Sequence, residues 1–149
     1  MRDEIQRLLG TPYRDEHGAR TLEPADFVVV SPYNAHVRCL RQEIGDERIR
    51  IGTVDKFQGQ QAAVVFFSMA SSSGEDVSRG LGFLFSRNRL NVAVSRAKCL
   101  SYVVANPRLL EASCRTIEQM RLVNALCRFV EVAGRPSVVA PTEDARDSQ

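Results

Sequence analysis

A chain of 149 residues that is 44% hydrophobic and 26% charged has enough apolar side chains for one domain with its own core, burying roughly two-thirds of its unfolded surface. Disordered, collagenous and membrane-spanning classes are excluded: apolar runs such as Phe27–Val30 and Val64–Phe67 fall far short of the ~20 residues that cross a bilayer, and no apolar stretch of a signal peptide follows the charged start Met1-Arg2-Asp3-Glu4. A net charge of +2 does not by itself mark a nucleic-acid binder, and the expected location is the cytoplasm.

In chain order, Ile5, Leu8 and Leu9 recur at helical spacing over residues 2–9, and Gly10 stops that helix. Residues 10–25 carry Gly, Pro and Asp and read as a loop. Phe27 to Val30, bounded by Pro24 and Pro32, is a β-branched run and predicts a buried strand. A helix follows from Ala35 to Ile44 on the spacing of Val37, Leu40 and Ile44. Arg48 to Val54 predicts a second strand, Gln58 to Gln61 a polar loop around Gly59, and Val64 to Met69 a third strand. The serines and glycines of residues 71–82 predict an exposed loop.

Residues 87–98 predict a helix with Leu90, Val94 and Ala97 on its apolar face. Tyr102 to Ala105 is the fourth strand, ended by Asn106-Pro107, and Arg108 to Ala112 a short helix. Thr116 with Gln119 three residues on is a capping box. It opens a helix through Ile117, Met120, Val123, Leu126, Cys127 and Val130 that Gly134 and Pro136 close. Residues 137–149 are polar and predict a frayed tail. Short apolar strands alternating with helices imply an α/β fold: a mainly parallel sheet covered by helices on both faces, with ligands at the carboxyl ends of the strands.

The basic residues are nearly all of one kind, 18 arginines against Lys56 and Lys98. Codon usage in a GC-rich genome accounts for this, although arginine also suits two-pronged phosphate contacts. Cys39, Cys99, Cys114 and Cys127 form no C-x-x-C pair, and His17 and His36 are the only histidines. The four cysteines are expected to be reduced and mostly buried, with no metal site.

Three segments are candidates for chemistry. Ser31-Pro32-Tyr33-Asn34 ends the first strand: Asn34 is placed to cap the next helix, leaving Pro32 and Tyr33 at the sheet edge, where a ring beside a proline can stack on a base or ribose. A rigid turn with a packed ring explains the same residues and is favoured on the motif alone. Thr53-Val54-Asp55-Lys56-Phe57-Gln58-Gly59-Gln60-Gln61 is more polar than a connector requires. Thr53 offers a hydroxyl, Lys56 a charge, Gly59 a close backbone approach to phosphate, and Phe57 an anchor in the core. In the 87–98 helix Arg89 and Arg96 lie seven residues apart and so share a face. A rigid helix is a good mount for a phosphate-reaching guanidinium, while a solvated basic face is the plainer reading.

Together the three segments resemble motifs IV, V and VI of superfamily 1 helicases, in the branch of the nonsense-mediated-decay helicases and the nuclease-helicases of replication. Thr53–Gln61 is similar to motif V, T-V-D-x-F-Q-G-x-E, and Arg89-Leu90-Asn91-Val92-Ala93-Val94-Ser95-Arg96-Ala97-Lys98 to motif VI, R-L-N-V-A-x-[ST]-R-A-[KR]. The likeness runs from about residue 20 to about 110 in matching order and spacing. It implies a RecA-like second motor domain over residues 1–136. The whole chain also resembles the carboxyl-terminal end of bacterial proteins that join a RecB-like nuclease to such a helicase, which implies a role in DNA repair.

The resemblance makes Arg96 an arginine finger, reaching the γ-phosphate of ATP on a partner motor domain. It puts Gly59, Gln61 and Arg89 at the nucleotide, and Pro32, Tyr33, Asn34, Thr53 and Lys56 at a single nucleic-acid strand, DNA in the first instance. Two positions depart from the family: Gln61 replaces the ribose-binding Glu of motif V, and His36 replaces a Gln of motif IV. A Gln can hydrogen-bond a hydroxyl but lacks the charge.

A P-loop needs Gly-Lys followed by Ser or Thr. Lys56 follows Asp55 and Lys98 follows Ala97, so neither lysine can belong to one. No Asp-Glu magnesium pair of a first motor domain is recognisable. ATP and Mg²⁺ are therefore expected only in a complete two-domain motor, with an N-terminal RecA-like domain as partner and no ATPase activity from this chain alone. The competing readings are a degenerate, non-enzymatic module that binds single-stranded nucleic acid or a protein, and an unrelated nucleotide-binding domain with chance motifs.

Overall fold

The computed structural model describes residues 1–57, 59–69, 87–111 and 113–133. Four parallel strands make the central sheet: β3 (Phe27–Ser31), β4 (Arg50–Thr53), β5 (Ala62–Ser68) and β6 (Ala97–Val104), in the order β4-β3-β5-β6. Every residue of β3 and β5 is buried. Both strands therefore read as continuous apolar runs, as central strands covered on two faces must.

Side chains alternate between the two faces. One face carries Phe27, Val29, Ile51, Val64 and Phe66. It is covered by α1 (Arg2–Leu8) through Ile5 and Leu8 and by α2 (Asn34–Ile44) through Val37, Leu40 and Ile44. The other carries Val28, Val30, Val65 and Phe67. Packed on it are Val54 and Phe57, Leu109 of a 3₁₀ turn (Pro107–Glu111), Leu126 of α4 (Ile117–Ala133), and Leu90 and Val92 of α3 (Arg87–Ser95). The result is a three-layer α/β domain of RecA-like architecture. At the C-terminal end of α2, Gly45 takes the left-handed conformation (φ 68°) and its N–H bonds to Arg41 O.

Four expectations are corrected. Residues 10–25 are not an irregular loop: β1 (Pro12–Asp15) and β2 (Gly18–Thr21) form an antiparallel hairpin. Arg20 lies 4.5 Å over the Tyr13 ring, its cross-strand partner, and grips Asp26 with two bonds of 2.7 and 2.6 Å. The second correction concerns the helix expected to end at residue 98. It ends at Ser95, and β6 begins at Ala97, well before Tyr102. Leu100 and Cys99 are exposed on this edge strand, so the alternation that marks a half-buried strand is blurred.

Third, Asn34 does not cap α2. The N-cap residue is Tyr33, with no side-chain cap bond, and Asn34 is the first helical residue. Fourth, none of the four free cysteines is buried: Cys39 and Cys99 are exposed, Cys114 and Cys127 half-buried. Cys39 lies on the solvent side of α2, away from Val37 and Leu40. The Thr116–Gln119 capping box forms as expected, with Gln119 N–H donating to Thr116 Oγ1 (3.2 Å) and Thr116 N–H to Gln119 Oε1 (3.3 Å). The loop expected over 71–82, the helix stop at Gly134 and Pro136, and the tail over 137–149 lie outside the described residues. No described helix is long and apolar enough to cross a membrane.

Candidate functional site

Because β4 and β5 both run parallel to β3, the chain leaving β4 at Thr53 must return to the opposite end of the sheet before β5 starts at Ala62. Residues 54–61 make this crossover, although parallel connections usually take roughly a dozen residues or more. A 3₁₀ turn over Val54–Phe57 presses Val54 and Phe57 onto the sheet. Gly52 permits the close approach: a Cβ there would lie 2.9 Å from Lys56 Cδ and 3.0 Å from Phe57 Cε2. The motif-V segment thus runs from one rim of the sheet to the other.

The carboxyl rim holds Thr53, paired in register with Ser31, and the start of α2. Pro32, expected at an exposed edge, is buried, and Tyr33 is half-buried against the core cluster. Pro32 directly follows the fully buried Ser31 and is carried inward with it. Asn34 and Lys56 are exposed and Thr53 is half-buried. His36, in the first turns of α2, makes a 2.9 Å hydrogen bond with Ser68 Oγ at the end of β5. Burial pushes the His36 pKa below its ordinary value.

The amino rim holds Gly59, Gln61 and the Arg96 backbone, contrary to the expectation that they would sit at the carboxyl ends. Gly59 is exposed with φ +83°, a left-handed conformation that favours glycine. The Ala62 N–H donates to Arg96 O at 3.0 Å, so the end of the motif-V segment and the end of motif VI are joined at the amino ends of β5 and β6. Gln61, next to Ala62, is exposed.

Arg96 is not on α3, as expected, but in the turn between α3 and β6. It is half-buried. With Val28, Val30, Val54, Phe57 and Val92 it lines a crevice of about 10 Å³, and its Nε is buried without a hydrogen-bond partner among the described residues. Arg7, Arg20, Arg48 and Arg128 each pair with a carboxylate. Among the described residues Arg96 has no such pair. The Arg89 side chain and Gln58 lie outside the described residues.

Two residues of this site escaped sequence reasoning. Arg50, at the start of β4, donates from Nη1 to Gln60 Oε1 (3.3 Å) and from Nη2 to Ala25 O (3.3 Å) and Gln61 O (3.4 Å). An arginine opening a strand carries no signal of such a role. Gly52 looked like an ordinary strand residue, and only the proximity of Phe57 reveals its use. Among the described residues no three His, Cys, Asp or Glu side chains converge to hold a metal ion.

The parallel sheet, the short crossover and the joined ends of its flanking motifs define a three-layer α/β domain. Residues 7–108 match the family model described as an AAA domain, and the chain belongs to that family. It is 35% identical over 122 residues to the "Putative helicase mov-10-B.1" of Danio rerio, 72% of this chain and 12% of that protein. It is 44% identical over 79 residues to the "DNA polymerase alpha-associated DNA helicase A" of Schizosaccharomyces pombe, 52% of this chain and 12% of that protein. With the "Probable RNA helicase armi" of Drosophila melanogaster the figures are 39% over 89 residues, 55% and 8%. The chain spans about an eighth or less of these relatives, and the similarity supports a superfamily 1 helicase domain.

Proposed function

We infer that this chain is the second motor domain of an ATP-dependent superfamily 1 translocase, completed by an N-terminal RecA-like domain that holds ATP and Mg²⁺. The observation that carries the reading is Arg96: a guanidinium without an ion pair among the described residues, joined through its backbone to the end of the motif-V segment. A γ-phosphate presented across a cleft would supply the charge it lacks, and arginine fingers contribute roughly 10³ to 10⁵ in rate.

Gly59 and Gln61 lie at the same rim, where Gly59 admits close phosphate approach and Gln61 can hydrogen-bond a ribose hydroxyl. Arg89 joins them as a proposed nucleotide contact. Thr53, Asn34, Lys56 and the half-buried Tyr33 are proposed to meet the backbone of a single strand at or near the carboxyl rim, with the buried Pro32 shaping the turn. The relatives' names divide between DNA and RNA helicases; DNA is the first reading. The proposed fusion to a nuclease and a DNA-repair role rest on the sequence resemblance alone, since the relatives quoted are eukaryotic helicases.

In the complete motor ATP supplies the transferable phosphoryl group. This chain's part is to stabilise the charge that develops on it, through Arg96, and to link that event to the strand along the crossover. The test compares nucleic-acid-stimulated ATPase in a motor that contains this chain, with and without Arg96→Ala. A rate loss of at least roughly 10³-fold is expected. Equal rates would favour the second reading, a binding module without catalysis, to which Gln61 and the missing P-loop lend weight.

A further inference from the structure

We propose that Arg50 is the positioning residue of the nucleotide rim, setting nucleotide affinity by holding the Gln60 side chain and the Gln61 backbone. The inference rests on the reading of Gly59, Gln61 and Arg96 as the nucleotide-facing set. One guanidinium spans the amino ends of three adjacent strands. From the first residue of β4 it reaches Ala25 O, before β3, and both Gln60 Oε1 and Gln61 O, before β5.

The loop it holds is anchored at its other end as well. Phe57 is buried in the core, the Gln60 N–H bonds to Phe57 O at 3.0 Å, and Gln60 Nε2 donates to Lys56 O at 3.5 Å. Between these anchors stands Gly59 in its left-handed conformation. The Arg50 Nε is buried and has no hydrogen-bond partner among the described residues. A packed apolar residue would brace the strand without leaving a donor unsatisfied. What the arginine adds is a planar fork that meets oxygens from separate elements in one fixed geometry. The exposed Gln61 has no charge with which to hold a ribose, so its backbone placement matters more than it would for a glutamate.

The experiment measures ATPase kinetics and thermal melting in the motor assembled from this chain and the N-terminal domain that completes it. Arg50→Ala and Arg50→Lys are compared with wild type and with Arg96→Ala. Arg50→Ala is expected to raise the KM for ATP roughly tenfold, about the value of one charge-assisted hydrogen bond, with kcat changed less than the KM. Arg50→Lys keeps the charge and loses the fork. It is expected to show the same KM rise with a melting temperature nearer wild type, and it stands in if the alanine variant does not fold. Gln60→Ala should raise KM less, and combining it with Arg50→Ala should add little. An unchanged KM in Arg50→Lys, or a fall in kcat with KM constant, overturns the proposal while Arg96→Ala is still inactive. A fully active Arg96→Ala overturns the underlying nucleotide-rim reading instead.

Discussion

At Gly52 any side chain would collide with the crossover that carries the site. The hypothetical Cβ meets a flexible lysine stem at 2.9 Å, which can move, and the edge of the Phe57 ring at 3.0 Å, which is locked in the core. Gly52→Ala is therefore expected to cost about 1–3 kcal/mol, the usual size of an overpacking penalty, read as a lower urea midpoint at constant m-value. An unchanged midpoint would mean that Phe57 is not packed on β4. At His36 the relevant quantity is a proton. Burial lowers the pKa below its ordinary 6.5, so the unfolded chain binds a proton that the folded chain resists. The stability tied to His36 is whole above about pH 6.5 and declines as pH falls below it. His36→Gln, which restores the residue common in motif IV, is expected to lose less stability than wild type between pH 7.5 and 5.5. Equal losses in chemical denaturation would show that His36 is not a source of the pH dependence. Arg96 and Gly59 could be singled out in the sequence because their motifs fix residue type and spacing, although Arg96 lies beyond the helix on which it was expected. Arg50 was not, because its partners are two backbone carbonyls and an amide that only the folded sheet brings together.

At the scale of elements, the buried strands were legible from their uninterrupted apolar runs, and α2 from its helical spacing. The start of β6 was not. Leu90, Val94 and Ala97 continue a helical rhythm past the true helix end, and the next residues lie on an edge where Lys98, Cys99 and Leu100 are all exposed. The hairpin was missed for a similar reason. Its turn pair is Glu16-His17, not the Asn-Gly that announces a tight hairpin, and its stabilising contacts come from Asp15, Arg20 and Asp26. Helix α1 is tied to the sheet edge by a polar network. Tyr102 stacks on Phe66 with centroids 4.6 Å apart, and its hydroxyl donates to Glu4 Oε1 at 2.9 Å. The Arg7 hydrogen bond is the main cause that holds the Glu4 pKa at about 2, with Tyr102 assisting. Tyr102→Phe keeps the stack and loses the bond, so a loss of about 0.5–1.5 kcal/mol is expected in denaturant melts. The capping box makes a separate prediction: Thr116→Ala should cost about 1 kcal/mol, and no change would show that the start of α4 is held by packing alone.

Over the whole molecule, the crossover is the short covalent link between the two rims. It carries Thr53 at the carboxyl rim and Gly59–Gln61 at the amino rim on one short stretch pinned by Phe57. A ligand at either end acts on a segment with little slack. The α/β class and the parallel sheet were readable from sequence, but the division of the motif-V residues between the two rims was not: it follows from the crossover between β4 and β5. Backbone-directed strand binding predicts weak base preference and affinity that falls steeply with salt. A titration at rising salt should give a steep linear dependence of log affinity on log salt concentration, and a flat one would exclude phosphate contacts. On the proposed function, the amino rim faces a triphosphate held by a second motor domain. The most direct measurement is a structure of the joined motor with a transition-state analogue of ATP. The Arg96 guanidinium is expected within about 3 Å of the γ-phosphate mimic, swung out from its crevice, with Gly59 alongside. An Arg96 still lining its crevice with Val28, Val54 and Phe57, with the analogue bound elsewhere, would contradict it.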